Sequence, residues 1–513
     1  MDARWWQRGV VYQVYPRSFH DSDRDGIGDL RGIRKRLDHL EWLGVDAVWL
    51  SPIFPSPMAD FGYDVADYTD VDALFGSLSD LDALADDLHR RGMRLLLDFV
   101  PNHTSDRHAW FLDAASSRSA EHRDWYIWRD PAPDGGPPNT WQSAFNGSAW
   151  EWHASTGQYY FHSFLKEQPD LDWTNPAVVD AMSDVLRLWF RRGIDGFRID
   201  VVNLLAKDRE LRPSISRSRQ VWGDQQAIIP ILRRLRDVSD EFEDRVLIGE
   251  VWLSPKRLVE YYGHDLDGLH LPFNLQLLLL EWSARAVRDG IVRYESLLPA
   301  GAWPNWVLSN HDCRRVATRV GVAQARVAAM LLLTLRGTPT LYYGDEIGMV
   351  DVNVPRSERV DPQGLRGGAS RDPARTPMRW DGSATAGFTT GTPWLPIGPW
   401  VGEINVAAQS GDPDSMLSLH RALLHLRRSE PALNMGSWQD LGIAGTTLAY
   451  VRSDGDRKIL VCLNLAHEPS PVPDAARQLR GRVVVSTLGM DGLGHFDPDR
   501  DLLPDEGLVV LID

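Results

Sequence analysis

Apolar runs that stop at an acid recur along this chain. Leu95-Leu96-Leu97 precedes Asp98, Gly196-Phe197-Arg198-Ile199 precedes Asp200, Leu247-Ile248-Gly249 precedes Glu250, and Leu308-Ser309-Asn310-His311 precedes Asp312. A run of about four to six residues rich in Val, Ile and Leu reads as a strand buried on both faces. The acid at its C-terminal end leaves the core and points into a loop. When several strands in one chain end this way, the economical architecture is a parallel barrel with its acids gathered at one mouth.

The wider pattern agrees. Strand-like runs at residues 10–15, 47–51, 94–99, 196–200, 246–251, 269–273, 306–309 and 340–343 alternate with amphipathic stretches at 30–43, 81–91, 177–192, 228–242, 275–288, 325–335 and 415–428. In the first of these stretches Leu30, Ile33, Leu37, Leu40 and Leu43 fall at helical spacing. Arg91-Gly92 and Arg192-Gly193 are stop signals. The fold class expected is α/β, a (β/α)8 TIM barrel. The alternation breaks at 104–174, a stretch rich in Trp, Pro, Gly and His, and at 351–403, rich in Gly, Pro and Arg. Long insertions at βα loops belong at the mouth of a barrel. After Pro431 the runs become short and alternating (447–452, 458–464, 482–486, 508–512), the pattern of an antiparallel β domain. The organisation expected is a barrel of 1–103 and 175–430, a small irregular insertion domain of 104–174 over the mouth, and a C-terminal β-sandwich-like domain of 431–513.

The net charge of −16 argues against nucleic acid and anionic membrane as partners, since both demand clustered Lys and Arg. Two cysteines, Cys313 and Cys462, make no disulfide framework and no metal-ligand spacing. Met1-Asp2-Ala3-Arg4-Trp5-Trp6 carries no basic stretch followed by an apolar one, so no secretory signal is expected and cytoplasmic residence is the default. No run approaches the length of a membrane span.

Arg198 stands two residues before Asp200, and on a strand i and i+2 point to the same side. The arginine is therefore expected to hold Asp200 ionised, as a nucleophile or electrostatic stabiliser. Glu250 sits between Ile248 and Val251, with Trp252 close behind, a less polar setting suited to a proton donor. Neighbouring strands bring these two acids together, and a retaining glycosidase needs its carboxyl groups about 5–5.5 Å apart. Asp312 is a third acid able to accept from sugar hydroxyls, with His103 and His311 as neutral donors beside it. Cys313 lacks a dedicated base and reads as a small neighbour of the pocket. The acids of Gly344-Asp345-Glu346 read as braces of the barrel rim. The loop Asp21-Ser22-Asp23-Arg24-Asp25-Gly26-Ile27-Gly28-Asp29 places carboxylates at alternate positions, as a hard cation requires. It begins like an EF-hand loop but has Gly32 at the twelfth position, so it reads as a structural Ca2+ loop.

These residues resemble the α-amylase clan of retaining glycoside hydrolases (family 13), in particular its α-glucosidase and oligo-1,6-glucosidase group. The motifs are Asp98-Phe99-Val100-Pro101-Asn102-His103, Gly196-Phe197-Arg198-Ile199-Asp200, Gly249-Glu250-Val251 and Asn310-His311-Asp312, with Gln168-Pro169-Asp170-Leu171-Asp172-Trp173, Gly26–Ile33 and Gly337–Glu346 in the same order. The resemblance implies that Asp200 is the nucleophile, Glu250 the acid/base and Asp312 the transition-state stabiliser. It implies that Arg198, His103 and His311 surround the glucose in the pocket, that Tyr63 stacks under it, and that Phe145 and Phe164 line the walls. Asp60 and Arg371 resemble the pair that clamps the non-reducing end, which implies exo-action on short α-glucosides such as maltose, isomaltose and their oligosaccharides. Asp21, Asp23, Asp25, Asp29 and the Ile27 carbonyl resemble the family's Ca2+ site, which also takes Mg2+. The runner-up readings are an oligo-1,6-glucosidase and a dedicated glucosyltransferase or isomerase; a catalytically dead scaffold or transporter subunit ranks last because all three acids are intact. Two linkage indicators point opposite ways: Val201 after the nucleophile accompanies α-1,6 cleavage, whereas Gly249-Glu250-Val251-Trp252 resembles α-1,4-active members.

Overall fold

The structure, a computed structural model, describes residues 3–212, 223–489 and 493–513. Strands β1 (Val11–Val14), β2 (Ala47–Leu50) and β3 (Arg94–Phe99) begin a barrel. A small sheet interrupts it: β4 (Trp128–Arg129), β5 (Trp150–His153) and β6 (Gln158–Phe161). The barrel resumes with β7 (Gly196–Ile199), β8 (Val246–Glu250), β9 (Leu271–Phe273), β10 (Asn305–Val307) and β11 (Thr338–Tyr342). The chain closes with β12 (Ser437–Ala444), β13 (Thr447–Asp454), β14 (Arg457–Asn464), β15 (Gly481–Ser486), β16 (Gly494–His495) and β17 (Gly507–Ile512).

The barrel order is β10-β11-β1-β2-β3-β7-β8-β9, with every hydrogen-bonded pair parallel. Strands β9 and β10 approach each other at the seam, giving the (β/α)8 TIM barrel expected. Side chains alternate between two separate cores. Val11, Ala47, Trp49, Leu96, Val246, Ile248, Leu271, Phe273 and Val307 pack together with Trp6 and Trp303 inside the barrel. Their neighbours Tyr12, Val48, Leu50, Leu95, Leu97, Phe99, Phe197, Ile199 and Leu247 pack outward in the core that includes the helices. Both faces are apolar, which is why the strands read as unbroken runs. The period of two has one further consequence. Asp98 follows Leu96, Arg198 follows Gly196, and Glu250 follows Ile248, so the inner face turns from apolar to charged at the C-terminal ends of the strands.

Local signals place the helices. Ser77 caps Leu78–Arg90 by accepting from Asp80 N, and Asn175 before Pro176 caps Pro176–Arg191. The stretch 30–43 is two helices, Leu30–Lys35 and Leu37–Leu43, parted at Arg36. The helix expected over 275–288 does not form as one piece. Gln276–Leu279 ends where Leu280 turns extended, and Ser283 then caps a new helix, Ala284–Leu297. A serine hydroxyl competing for a backbone N–H sets this boundary inside an otherwise helical pattern.

The stretch 104–174 is more regular than expected. Strands β4–β6 form an antiparallel sheet in the order β4-β6-β5, with its own core of Ile127, Trp141, Ala149, Trp150 and Phe161. After a short helix, Pro431–Asn434, strands β12–β17 make one six-stranded antiparallel sheet. It docks on the helix Val322–Thr334, where the buried Arg452 donates to the Thr334 carbonyl at 2.6 Å and Tyr450 meets the Thr334 hydroxyl. Among the described residues no helix is long and apolar enough to cross a membrane.

Candidate active site

At the charged end of the barrel, Arg198 is the hub. Its Nη1 lies 2.6 Å from Asp200 Oδ1 and 2.9 Å from Asp98 Oδ1, and its Nη2 lies 2.7 Å from Glu250 Oε2. One guanidinium thus faces three buried carboxylates. Asp200 and Glu250, on adjacent strands, bind its two terminal nitrogens and share one small volume, as the spacing of the sequence required. The electrostatic expectation for Asp200 does not hold. Burial, with the like charges of Glu250 and Asp98, raises its pKa well above the carboxylate range despite Arg198. Burial also pushes Asp98 up to about 7. Arg198 does not offset the burial of Asp98 and Asp200, so the cluster favours keeping a proton.

A second hub lies in the wall of the pocket. Arg371 Nη2 lies 2.7 Å from Asp60 and 2.6 Å from Asp361, and its Nη1 lies 3.3 Å from Asp312. Arg375 Nη2 adds a contact of 3.1 Å to the same oxygen of Asp312. Burial works against ionisation of Asp312, but the Arg371 and Arg375 guanidinium groups, with the His311 ring beside it, outweigh burial and hold the carboxyl well below its usual range. Arg371 and Arg375 likewise hold Asp361 down against burial, whereas burial still raises Asp60.

Asp60, Tyr63, His103, Phe145, Phe164, Asp200, Glu250, Asp312 and Arg371 all line one cavity of about 370 Å3. Arg198 and His311 underlie it rather than line it. Tyr63 stacks on His311 with ring centroids 5.5 Å apart and planes 2° from parallel, and its hydroxyl sits 2.6 Å from His311 Nε2 and 3.2 Å from Asp98. The rings of Phe145 and Phe164 meet edge to face at 5.4 Å, and Arg371 lies over Phe145 at 5.1 Å. Burial lowers His103 to about 4 and His311 well below its ordinary value, so both imidazoles are neutral at pH 7. His103 Nε2 is 2.9 Å from the Tyr63 carbonyl, which fixes the loop that carries Tyr63. Burial pushes the half-buried Cys313 thiol up to about 12, which leaves it inert. Glu346, buried and bound to Tyr12 at 2.7 Å and His39 at 3.2 Å, braces β1 against the first helices.

Several contacts of the site do not follow from the sequence. Asp98 shares Arg198 because Asp98 and Arg198 are register partners across β3 and β7. Arg375 stands four residues after Arg371, a signal that was available. Asp361 gives no such signal. Asn203, Gln168, Gln363 and Trp252 also line the cavity. Val201, next to Asp200, adopts φ 35° and ψ 47°. That left-handed conformation is strained for a β-branched residue, by roughly 1–3 kcal/mol. It aims the Val201 N–H at Glu250 Oε2, 3.0 Å away.

In the loop 21–29, carboxylate oxygens of Asp21, Asp23 and Asp29 lie within 4.8 Å of one another. The all-oxygen donor set fits a hard divalent cation. Asp25 is turned to its own loop, accepting from Ile27 N at 2.7 Å. Gly26 has φ +90°, and a Cβ there would lie 2.0 Å from the Thr392 carbonyl, so the loop is seated tightly on the segment 389–394.

Comparison with known proteins is consistent along the chain. The alpha-amylase catalytic-domain family model matches residues 13–436. A probable alpha-glucosidase of Rhizobium meliloti (strain 1021) is 41% identical over 498 residues, covering 91% of this chain and 90% of that protein. An oligo-1,6-glucosidase of Parageobacillus thermoglucosidasius is 36% identical over 542 residues, covering 96% of each. Among solved structures, the alpha-glucosyl transfer enzyme XgtA superposes with a TM-score of 0.92 at 37% identity, with 100% of both chains covered.

Proposed function

The chain belongs to the α-amylase family of glycoside hydrolases, in its α-glucosidase group, and we propose that it is an exo-acting, retaining α-glucosidase of short α-glucosides. Asp200 attacks the anomeric carbon while Glu250 protonates the departing oxygen. The glycosidic C–O bond breaks and an ester bond to Asp200 forms. Glu250, now a carboxylate, takes a proton from water, whose oxygen displaces Asp200 and leaves α-glucose. For the first step the proton retained near Arg198 must leave Asp200, so that Asp200 attacks as a carboxylate. Asp312, kept ionised by Arg371 and Arg375, receives the sugar hydroxyls without competing for that proton.

The observation that carries the reading is the ion pair of Asp60 with Arg371, tied to Asp312, in the wall of the cavity that holds the acids. In this proposal it stops a chain from extending beyond one terminal sugar. The test is product analysis on maltotriose and isomaltotriose with the anomer followed by NMR. Glucose alone, released first as the α-anomer, is the expected result. Release of internal fragments, or of β-glucose, overturns it. Because the glucosyl-enzyme can be intercepted by a sugar hydroxyl, transglucosylation at high substrate belongs to the same proposal, and the likeness to XgtA supports it. Asp21, Asp23 and Asp29 are proposed to hold a divalent cation, Ca2+ or Mg2+, that pins the loop after β1 and supplies no chemistry.

A further inference from the structure

A second cavity, of about 520 Å3, lies at the other end of the barrel. Its wall includes Asp46 just before β2, Arg94 at the start of β3 and Asp244 just before β8. These are the N-terminal ends of the strands, opposite the ends that carry the acids. Arg8, from the helix Trp5–Arg8, and Arg427 and Arg428, from the helix Met416–Ser429, join them. Four guanidinium groups thus meet two carboxylates, in a chain whose net charge is −16. Both carboxylates are already engaged: Asp46 lies 2.7 Å from Arg428, and Asp244 lies 2.9 Å from Arg4. Arg94 has only Asp195, which it shares at 3.2 Å with Arg245 and also with His89. The exposed Arg8 makes no ion pair among the described residues. Arg427 is buried, and its terminal nitrogens reach only the main-chain carbonyls of Leu333, Leu335 and Gly337, while its Nε has no partner. Burial lowers Arg427 to about 10, with Asp46 supporting its charge from a distance, so it is a cation at pH 7.

We propose that this cavity binds a small phosphorylated sugar, with Arg8, Arg94 and Arg427 supplying the charge that meets its phosphate. A buried guanidinium without a carboxylate is costly, and an anion brought beside it offsets that cost. The wall carries about two positive charges more than its own acids balance, and a phosphate monoester at pH 7 carries about −1.5 to −2. Guanidinium forks also match phosphate oxygens in pairs. The volume is that of a small-molecule site rather than of a lone phosphate. Acceptors for sugar hydroxyls are present: the carboxylates of Asp46 and Asp244, and Asn434, which lines the cavity with an Oδ1 that has no hydrogen-bond partner. An occupant would join the first helix, the floor of the barrel and the helix that leads into the C-terminal domain. It would therefore stabilise the folded chain by mass action, from the end of the barrel that performs no chemistry.

The test is isothermal titration calorimetry of the full chain at low salt with glucose 6-phosphate, inorganic phosphate and gluconate, which keeps the hydroxyls but carries a single charge. Glucose 6-phosphate is expected to bind with a Kd below about 1 mM, and gluconate about tenfold more weakly or worse. A saturating amount of the ester should raise Tm by about 1–2 °C. Inorganic phosphate should bind about tenfold more weakly than the ester, having no hydroxyls to place. Equal affinity for the two overturns the sugar as ligand, and equal affinity for gluconate overturns the phosphate. Arg8→Glu reverses a charge that has no partner to lose, so it should weaken the ester about tenfold or more while kcat for maltose stays unchanged. Arg8→Gln, which only removes the charge, should weaken it about threefold. Binding of the ester that is untouched by both Arg8 variants, or that maltose displaces from Asp200→Asn protein, overturns the proposal by placing the ester elsewhere. So does the absence of any binding at about 10 mM ester.

Discussion

Two arginine hubs meet in this pocket, and they treat carboxylates in opposite ways. Around Arg198, three buried acids share one cation, and Asp98 and Asp200 are driven toward their neutral forms. Around Arg371 and Arg375, three acids share two cations, and Asp312 and Asp361 are held ionised. The residue types are alike; the count of guanidinium groups differs, and Asp312 is the most exposed of the six acids. In the proposed mechanism the cation-poor hub stores and moves a proton. In the same proposal the cation-rich hub presents a fixed negative charge to the sugar.

The largest effect expected is on the cation-poor side. Asp200→Asn should lower kcat by about 10^4-fold with folding intact by circular dichroism, since loss of a nucleophile is not compensated by binding. Near-normal turnover would remove the distinction between the hubs. Next, Arg371→Ala leaves Asp60, Asp361 and Asp312 with Arg375 alone. A fall in kcat/KM for maltose of about 10^2-fold is expected, because truncating one partner of a buried pair strands the other charge. Steady-state kinetics beside Arg371→Lys sharpens the point, since lysine restores charge but not the fork. A smaller effect comes from Asp98→Asn, which removes a like charge from the Arg198 hub. Asp200 then ionises more readily, so the acidic limb of the kcat/KM profile should move to lower pH by about one unit. Movement to higher pH would mean that Asp98 acts chiefly as a hydrogen-bond acceptor. The smallest effect belongs to neither hub: adding Ca2+ to chelated protein should raise Tm by a few degrees and change kcat less than twofold. A Tm indifferent to Ca2+ and Mg2+ would argue that Asp21, Asp23 and Asp29 only cap the loop.

Much of this arrangement is legible in the sequence. Apolar runs ending in acids located the strands and the charged end of the barrel. The i, i+2 spacing of Arg198 and Asp200 gave their contact, because strand geometry fixes it locally. What escaped was lateral. Asp98 joins Arg198 through the register of two strands about a hundred residues apart, and no local period encodes that. Asp361 and Arg375 lie in a long loop whose residues are ordered by one another rather than by a repeat. The protonation of Asp200 is not encoded locally: Arg198 is its neighbour in sequence, whereas Asp98 and Glu250, which share that arginine, come from other strands. The break at Leu280 was hidden by a helical pattern that continues on both sides of Ser283.

The left-handed turn at Val201 bears on how this pocket can be redesigned. Any exchange of that side chain alters two things together, the wall beside the sugar and the ease with which the main chain holds its bend. Swapping in alanine, threonine or glycine to retune selectivity would therefore also loosen or tighten the amide that steadies Glu250. Changes in bond preference and changes in turnover should travel together at this one position.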